Sequence, residues 1–318
     1  MPDLKNKHSR NHEKRVPENI LFKITAELDT LLPKIFLDAK ITPVSNPIIE
    51  NAKNSVCVSV TDSASKKYFL KICPDNSILT EIFWREKAHE NNIPVPRTIY
   101  ANISRKQIPY MFEILEFIEG TNLRYVSSEF KYVFAKLIGH TLKKVHGIQV
   151  NGFGSACTED RWSCKTWREV LERYMHRTMR DAALEIFTLD EREKLRECIC
   201  DKKLIIIHPK LLHGDLNAGN FLYSEKRGEI LFLDPGHTIG GDPMMDLAHA
   251  GTPYLNSVFF RGMKDGYETQ IPLTNEENCR LEKLRIICLA STAIEMYIKN
   301  DNHYAEFRTS AKEMLRLL

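Results

Sequence analysis

His213, Asp215, Asn220 and Asp234 all fall inside one short segment, LLHGDLNAGNFLYSEKRGEILFLDPG, residues 211–236. Asn220 and Asp234 can each present oxygen to a hard divalent cation, and Asp215 adds a second carboxylate close by. The segment itself indicates how they would meet. Residues 221–223 and 230–233 are short apolar runs rich in aromatic and branched side chains, separated by the polar stretch SEKRG, so they read as a hairpin. Asn220 precedes the first strand and Asp234 follows the second. Closing the turn should therefore bring them to one end of the ladder, roughly 5 to 8 Å apart. Asp215 lies in a loop with Gly214 and Gly219, which leaves it free to reach the same place without joining the sheet.

The elements around this segment can be read from periodicity. Ile20, Leu21, Ile24, Leu28, Leu31, Leu32 and Ile35 recur at helical spacing and predict one opening amphipathic helix. Val56, Val58 and Val60 alternate as a strand, residues 61–65 turn, and residues 68–72 return as a strand carrying Lys71. A helix over 78–91 follows, is ended by Pro94 and Pro96, and gives way to the strand of YMFEILEFIEG. Beyond Gly120 the pattern turns helical. Phe130, Val133, Phe134, Leu137, Ile138, Thr141, Leu142 and Val145 mark one helix face. Further helices are expected over about 165–198 and 275–299, the latter opened by a capping box of Thr274 and Glu277.

With 318 residues, 43% of them hydrophobic, the chain can bury a substantial core and should form two lobes or domains. A formal charge of +3 is small beside 45 basic and 42 acidic side chains, so nothing points to nucleic acid or a membrane as partner. A monomer or weak dimer is expected. No run is long enough to span a bilayer and no signal-peptide core is seen, so a cytoplasmic location is the expectation. The eight cysteines form no CxxC motif and read as reduced, mostly buried thiols. Residues 1–18, basic and poor in large apolar side chains, read as a disordered arm. His208, His213, His237 and His249 raise zinc as an alternative, but their spacing matches no tight zinc motif.

Five stretches, in order, resemble the aminoglycoside phosphotransferase and small-molecule kinase superfamily. HGDLNAGN is similar to its catalytic loop and LDPG to its metal-binding Asp-x-Gly. GGDPMMDLA resembles the segment that follows, YFLKI with Glu81 the nucleotide-lobe lysine and its partner helix, and LKKVHGIQVNGFG the end of the first large-lobe helix. The resemblance covers about residues 45–270. It implies an α+β, bilobal, protein-kinase-like fold, with a small strand-rich nucleotide-binding lobe over 19–118 and a larger, mainly helical catalytic and substrate-binding lobe over 119–318. It also implies an ATP-dependent phosphotransferase, with GTP possible, that needs Mg2+ and acts on a small hydroxylated substrate. Asp215 would be the catalytic base, while Asn220 and Asp234 would hold magnesium. Lys71 would hold the α- and β-phosphates, fixed by Glu81, and the chain near Glu116 and Ile118 would meet adenine. His213 and Asp246 would shape the loop from behind.

One departure stands out. The family usually has a glycine-containing turn over the phosphates, whereas PIIENAKNSVCVSV has none. Backbone amides over 52–55, with the side chains of Asn54 and Ser55, are the remaining candidates. An aminoglycoside or other antibiotic is the first substrate expected, with a metabolic kinase of amino alcohol, sugar or fructosamine type as the alternative. Acidic and basic residues interleave over 159–181, so charge does not choose between them. A catalytically silent kinase-like binding protein is the alternative from another class. A protein kinase fits less well, because GGDPMMDLA begins within a few residues of Asp234 and leaves no long activation segment.

Overall fold

The computed structural model describes residues 17–43, 45–51, 54–178, 180–236, 238–251 and 257–317. Most of the expected N-terminal arm, Ala52, Lys53 and His237 lie outside them. The chain divides into two units, Met1–Gly120 with Ser224–Leu233 and Thr121–Tyr223 with Asp234–Leu318.

In the first unit the opening apolar repeat forms two helices, α1 (Glu18–Ala26) and α2 (Leu28–Asp38), instead of one. The break at Glu27 follows Thr25, whose hydroxyl donates to Leu21 O at 2.9 Å, a back-bond that bends helices. β1 (Ile48–Asn51), β2 (Val56–Thr61), β3 (Lys67–Cys73), α3 (Ser77–Glu90), β4 (Thr98–Asn102) and β5 (Met111–Glu116) follow. The strands make an antiparallel sheet in the order β1-β2-β3-β5-β4. Strand alternation sorts its residues by face. Val58, Val60, Leu70, Ile72, Phe112 and Ile114 join Ile24, Leu31, Ile35 and Phe36 in one apolar core. Cys57, Lys71 and Glu113, in register across β2, β3 and β5, fall on the opposite face.

The chain continues through β6 (Thr121–Asn122), α4 (Ser128–Val145), β7 (Phe153–Thr158), β8 (Arg161–Cys164), α5 (Trp167–Thr178), α6 (Ala182–Ile186) and α7 (Leu189–Cys200). Thus the long helix expected over 165–198 is three helices, the last opened by a capping box of Thr188 and Glu191. Next come β9 (Lys210–Leu211), β10 (Phe221–Ser224), β11 (Glu229–Phe232), β12 (Gly240–Gly241), α8 (Pro243–Ala250), α9 (Val258–Tyr267), α10 (Asn275–Ile298) and α11 (Tyr304–Leu315). The capping box expected at Thr274 and Glu277 opens α10. α6, α7, α10 and α11 share an apolar core that includes Ile186, Leu195, Leu289, Ile294 and Phe307.

The buried side of α4 differs from the sequence expectation. Ile138, Leu142 and Val145 are buried, but Phe130, Val133 and Leu137 are 59%, 52% and 54% exposed. Small residues decide the contact. A Cβ on Gly139 would lie 2.0 Å from Met263 O, and one on Gly266 1.9 Å from Lys136 O, so α9 crosses α4 where no side chain intervenes. The predicted hairpin is β10 and β11, neighbours in a three-stranded sheet, with its turn closed by Gly228 N–H donating to Ser224 O at 2.8 Å. Residues 224–233 count with the first unit for local reasons. Phe232 N–H donates to Pro94 O at 2.9 Å, its ring lies 6.4 Å from that of Trp84, and Arg227 pairs with Glu116 at 2.7 Å.

Candidate active site

The loop at 213–220 is held from behind by one buried carboxylate. Asp246, on α8, is fully buried and accepts the N–H of His213 at 2.6 Å and that of Gly214 at 2.8 Å. His146, at the end of α4, places Nε2 3.1 Å from Asp246 Oδ2 and Nδ1 3.0 Å from the Tyr267 hydroxyl. Because an ionised carboxylate only accepts, Nε2 donates to Asp246. Burial pushes the Asp246 carboxyl up, but the hydrogen bond and charge of His146 and the contacts of His213 outweigh it, so the group sits below the usual carboxylate range. α8 is itself anchored. Buried Asp242 caps it through Met244 N–H at 3.0 Å and pairs with Arg280 at 2.9 Å.

Two glycines let the loop run against the segment after Asp234. Gly214 sits at φ +79°, and a Cβ there would come 2.5 Å from Thr238 O. A Cβ on Gly236 would come 2.2 Å from Gly214 O, while Gly236 N–H donates to His213 O at 2.7 Å. His213 is fully buried, its ring 5.7 Å from that of Phe221, and its Nδ1 accepts the Asp215 N–H at 3.4 Å.

Asp215, Asn220 and Asp234 are brought together as expected from the hairpin. Asn220 Nδ2 donates to Asp215 Oδ2 at 2.8 Å, to Asp215 O at 2.9 Å and to Asp234 O at 3.4 Å. Asn217 Nδ2 donates to Asp215 Oδ1 at 3.0 Å, and its own Oδ1 takes Gly219 N–H at 2.9 Å. Both carboxylates are exposed, and Asp234 has φ +43°, which few residues other than glycine adopt. The donor set is oxygen-rich and suits a hard cation such as Mg2+. Among the described residues, no three His, Cys, Asp or Glu side chains converge as a metal site.

In the first unit, Lys71 Nζ lies 2.5 Å from Glu81 Oε2, with the two residues 8% and 9% exposed. The residues proposed around this pair differ in what they offer. Ser55 is buried with Oγ 3.6 Å from Cys57 Sγ, which stands beside Lys71 in the sheet register, and Asn54 is exposed. Glu116 is already engaged. Its N–H donates to Arg97 O at 3.0 Å, and its carboxylate accepts Arg97 N–H at 2.8 Å and Arg227 at 2.7 Å. Ile118, by contrast, lies in residues 117–120, which join neither β5 nor β6.

The profile of the phosphotransferase enzyme family, APH, matches residues 46–268. The chain belongs to this family. No curated protein matches it in sequence. Aminoglycoside phosphotransferase APH(4)-Ia, solved as a thermostable mutant in a ternary complex with ADP and hygromycin B, superposes with a TM-score of 0.69 at 16% identity, over 89% of this chain and 97% of that one. Choline kinase LicA from Streptococcus pneumoniae gives 0.62 at 15% identity, over 92% and 100%. A putative fructosamine-3-kinase from Thermobifida fusca gives 0.60 at 17% identity, over 87% and 96%. The fold is therefore the α+β protein-kinase-like fold, and the chain is a member of the phosphotransferase enzyme family.

Among the described residues, no helix is long and apolar enough to cross a membrane. Sequence reading assigned no role to His146, Tyr267 or Asn217, and it missed Arg85 and Glu113 altogether. Arg85 did leave a signal, since it follows Glu81 by one helical turn.

Proposed function

We propose that this phosphotransferase moves the γ-phosphate of ATP, or of GTP, to a hydroxyl of a small molecule, with an aminoglycoside or another hydroxylated antibiotic as the first substrate class. The convergence of Asp215, Asn220 and Asp234 on a loop pinned by Asp246 carries the reading. Phosphoryl transfer asks for positioning and charge neutralisation more than for covalent chemistry. Asp215 is exposed, oriented by Asn217 and Asn220, and acts on the proton of the acceptor hydroxyl. Asn220 and Asp234 would hold Mg2+, which when bound neutralises phosphate charge. Lys71, fixed by Glu81, holds the α- and β-phosphates. Ser55 and Asn54 are the side chains offered by the glycine-free turn, and the backbone at Ile118 is offered to the purine.

Likeness to choline kinase and to a putative fructosamine-3-kinase supports a metabolic acceptor as the second reading. The test is transfer of labelled γ-phosphate from ATP or GTP, with magnesium, to a panel of aminoglycosides including hygromycin B, to choline and to fructosamines. Labelled aminoglycoside supports the first reading, and label only on choline or a fructosamine replaces it with the second. A chain that binds nucleotide and labels nothing across a wide panel argues for a silent binding protein.

A further inference from the structure

The sheet face that carries Lys71 holds a second buried ion pair. Glu113 is completely buried and Arg85 is 7% exposed. The guanidinium meets the carboxylate two-pronged, Nη1 to Oε2 at 2.6 Å and Nη2 to Oε1 at 3.1 Å, and Nη1 also lies 3.3 Å from Thr98 Oγ1. Register makes Glu113 the direct cross-strand neighbour of Lys71, so their Cβ atoms stand about 5 Å apart on one face. Arg85 lies one helical turn after Glu81 on α3. Two cations and two carboxylates therefore alternate: Lys71 with Glu81, and Arg85 with Glu113.

This arrangement contains a competition. A buried carboxylate deprived of its partner is strongly destabilising, and the cation beside Glu113 in the ladder is Lys71. Among the described residues, the ion pair made by Glu113 is the one with Arg85. We infer that Arg85 is a positioning residue: by engaging Glu113 through both prongs, it keeps the Lys71 ammonium on Glu81 and directed to the nucleotide phosphates. The inference rests on the reading of Lys71 as the phosphate-holding cation, while the competition for Lys71 stands without it.

Comparing a single with a double variant separates positioning from simple packing. Arg85→Met should weaken Mg·ATP binding at least tenfold, measured by titration calorimetry, with acceptor KM within twofold of wild type. Arg85→Met combined with Glu113→Leu removes both charges and should return ATP affinity to within threefold of wild type, although it lacks the same ion pair. A double variant as weak as the single one, or a single variant that binds ATP normally, would overturn the inference. Arg85→Gln, which keeps a donor for Glu113, replaces Arg85→Met if the latter does not fold, and the same ordering is expected. A second measurement needs no nucleotide: the NMR shift of the 13C-methylated Lys71 amine should move in the single variant and return in the double. If wild type binds neither ATP nor GTP, the phosphotransferase reading fails, and the Lys71 signal still decides the inference, an unmoved signal overturning it.

Discussion

Removing the carboxylate of Asp246 should loosen the loop that carries Asp215. The carboxylate is fully buried and takes two backbone N–H groups, at 2.6 and 2.8 Å, and His146 Nε2 at 3.1 Å. Hydrogen bonds to a charged group contribute about 1.5–3 kcal/mol each and do not add simply. Breaking a buried charged pair by deleting one partner costs about 3–5 kcal/mol. Asp246→Ala should therefore cost about 3–5 kcal/mol, and Asp246→Asn, which keeps one acceptor of the same shape, about 2–3 kcal/mol. Amide hydrogen exchange at His213 and Gly214 reads the site directly, and the Ala variant should lose about a hundredfold or more in protection, at about 1.36 kcal/mol per factor of ten. The sign of the pH dependence follows from the lowered carboxyl. Its contribution is complete above the unfolded value of about 3.9 and is lost as pH falls through the lower folded value, so wild type and Asn variant should converge in acid. Unchanged protection in Asp246→Ala at pH 7, or a gap that widens as pH falls, would refute this role.

Three further substitutions probe separate parts of the account. Asp215→Ala should lower transfer by about 100- to 10,000-fold and Asp234→Ala should abolish it, both with unchanged circular dichroism; full activity in either would remove that residue from the mechanism. Lys71→Ala should raise the Kd for Mg·ATP while leaving the Asp246 network intact, so exchange at Gly214 should match wild type. Gly214→Ala meets both φ +79° and a 2.5 Å approach to Thr238 O, and urea unfolding should show a loss of about 2 kcal/mol or more.

The hairpin residues were legible because a short turn fixes where its ends meet: Asn220 and Asp234 needed no long-range information. Lys71 and Glu81 were readable through the resemblance, and the structure adds the contact between them. His146, Tyr267 and Asp246 could not be linked in advance, because 100 and 121 residues separate the partners of those bonds. Arg85 and Glu113 lie on different elements, with only sheet register to reveal the competition for Lys71. The buried side of α4 was misread for another reason. Counting large apolar residues overlooks a helix contact set by Gly139, Gly262 and Gly266, where backbone meets backbone.

Thermal melting with magnesium plus ATP or GTP, against magnesium alone, tests the central claim most directly. A site filled at a hundred times its dissociation constant adds about 2.7 kcal/mol. The account predicts a clear upward shift with at least one nucleotide, lost in Asp234→Ala. No shift with either nucleotide, or a shift that survives in Asp234→Ala undiminished, would contradict it.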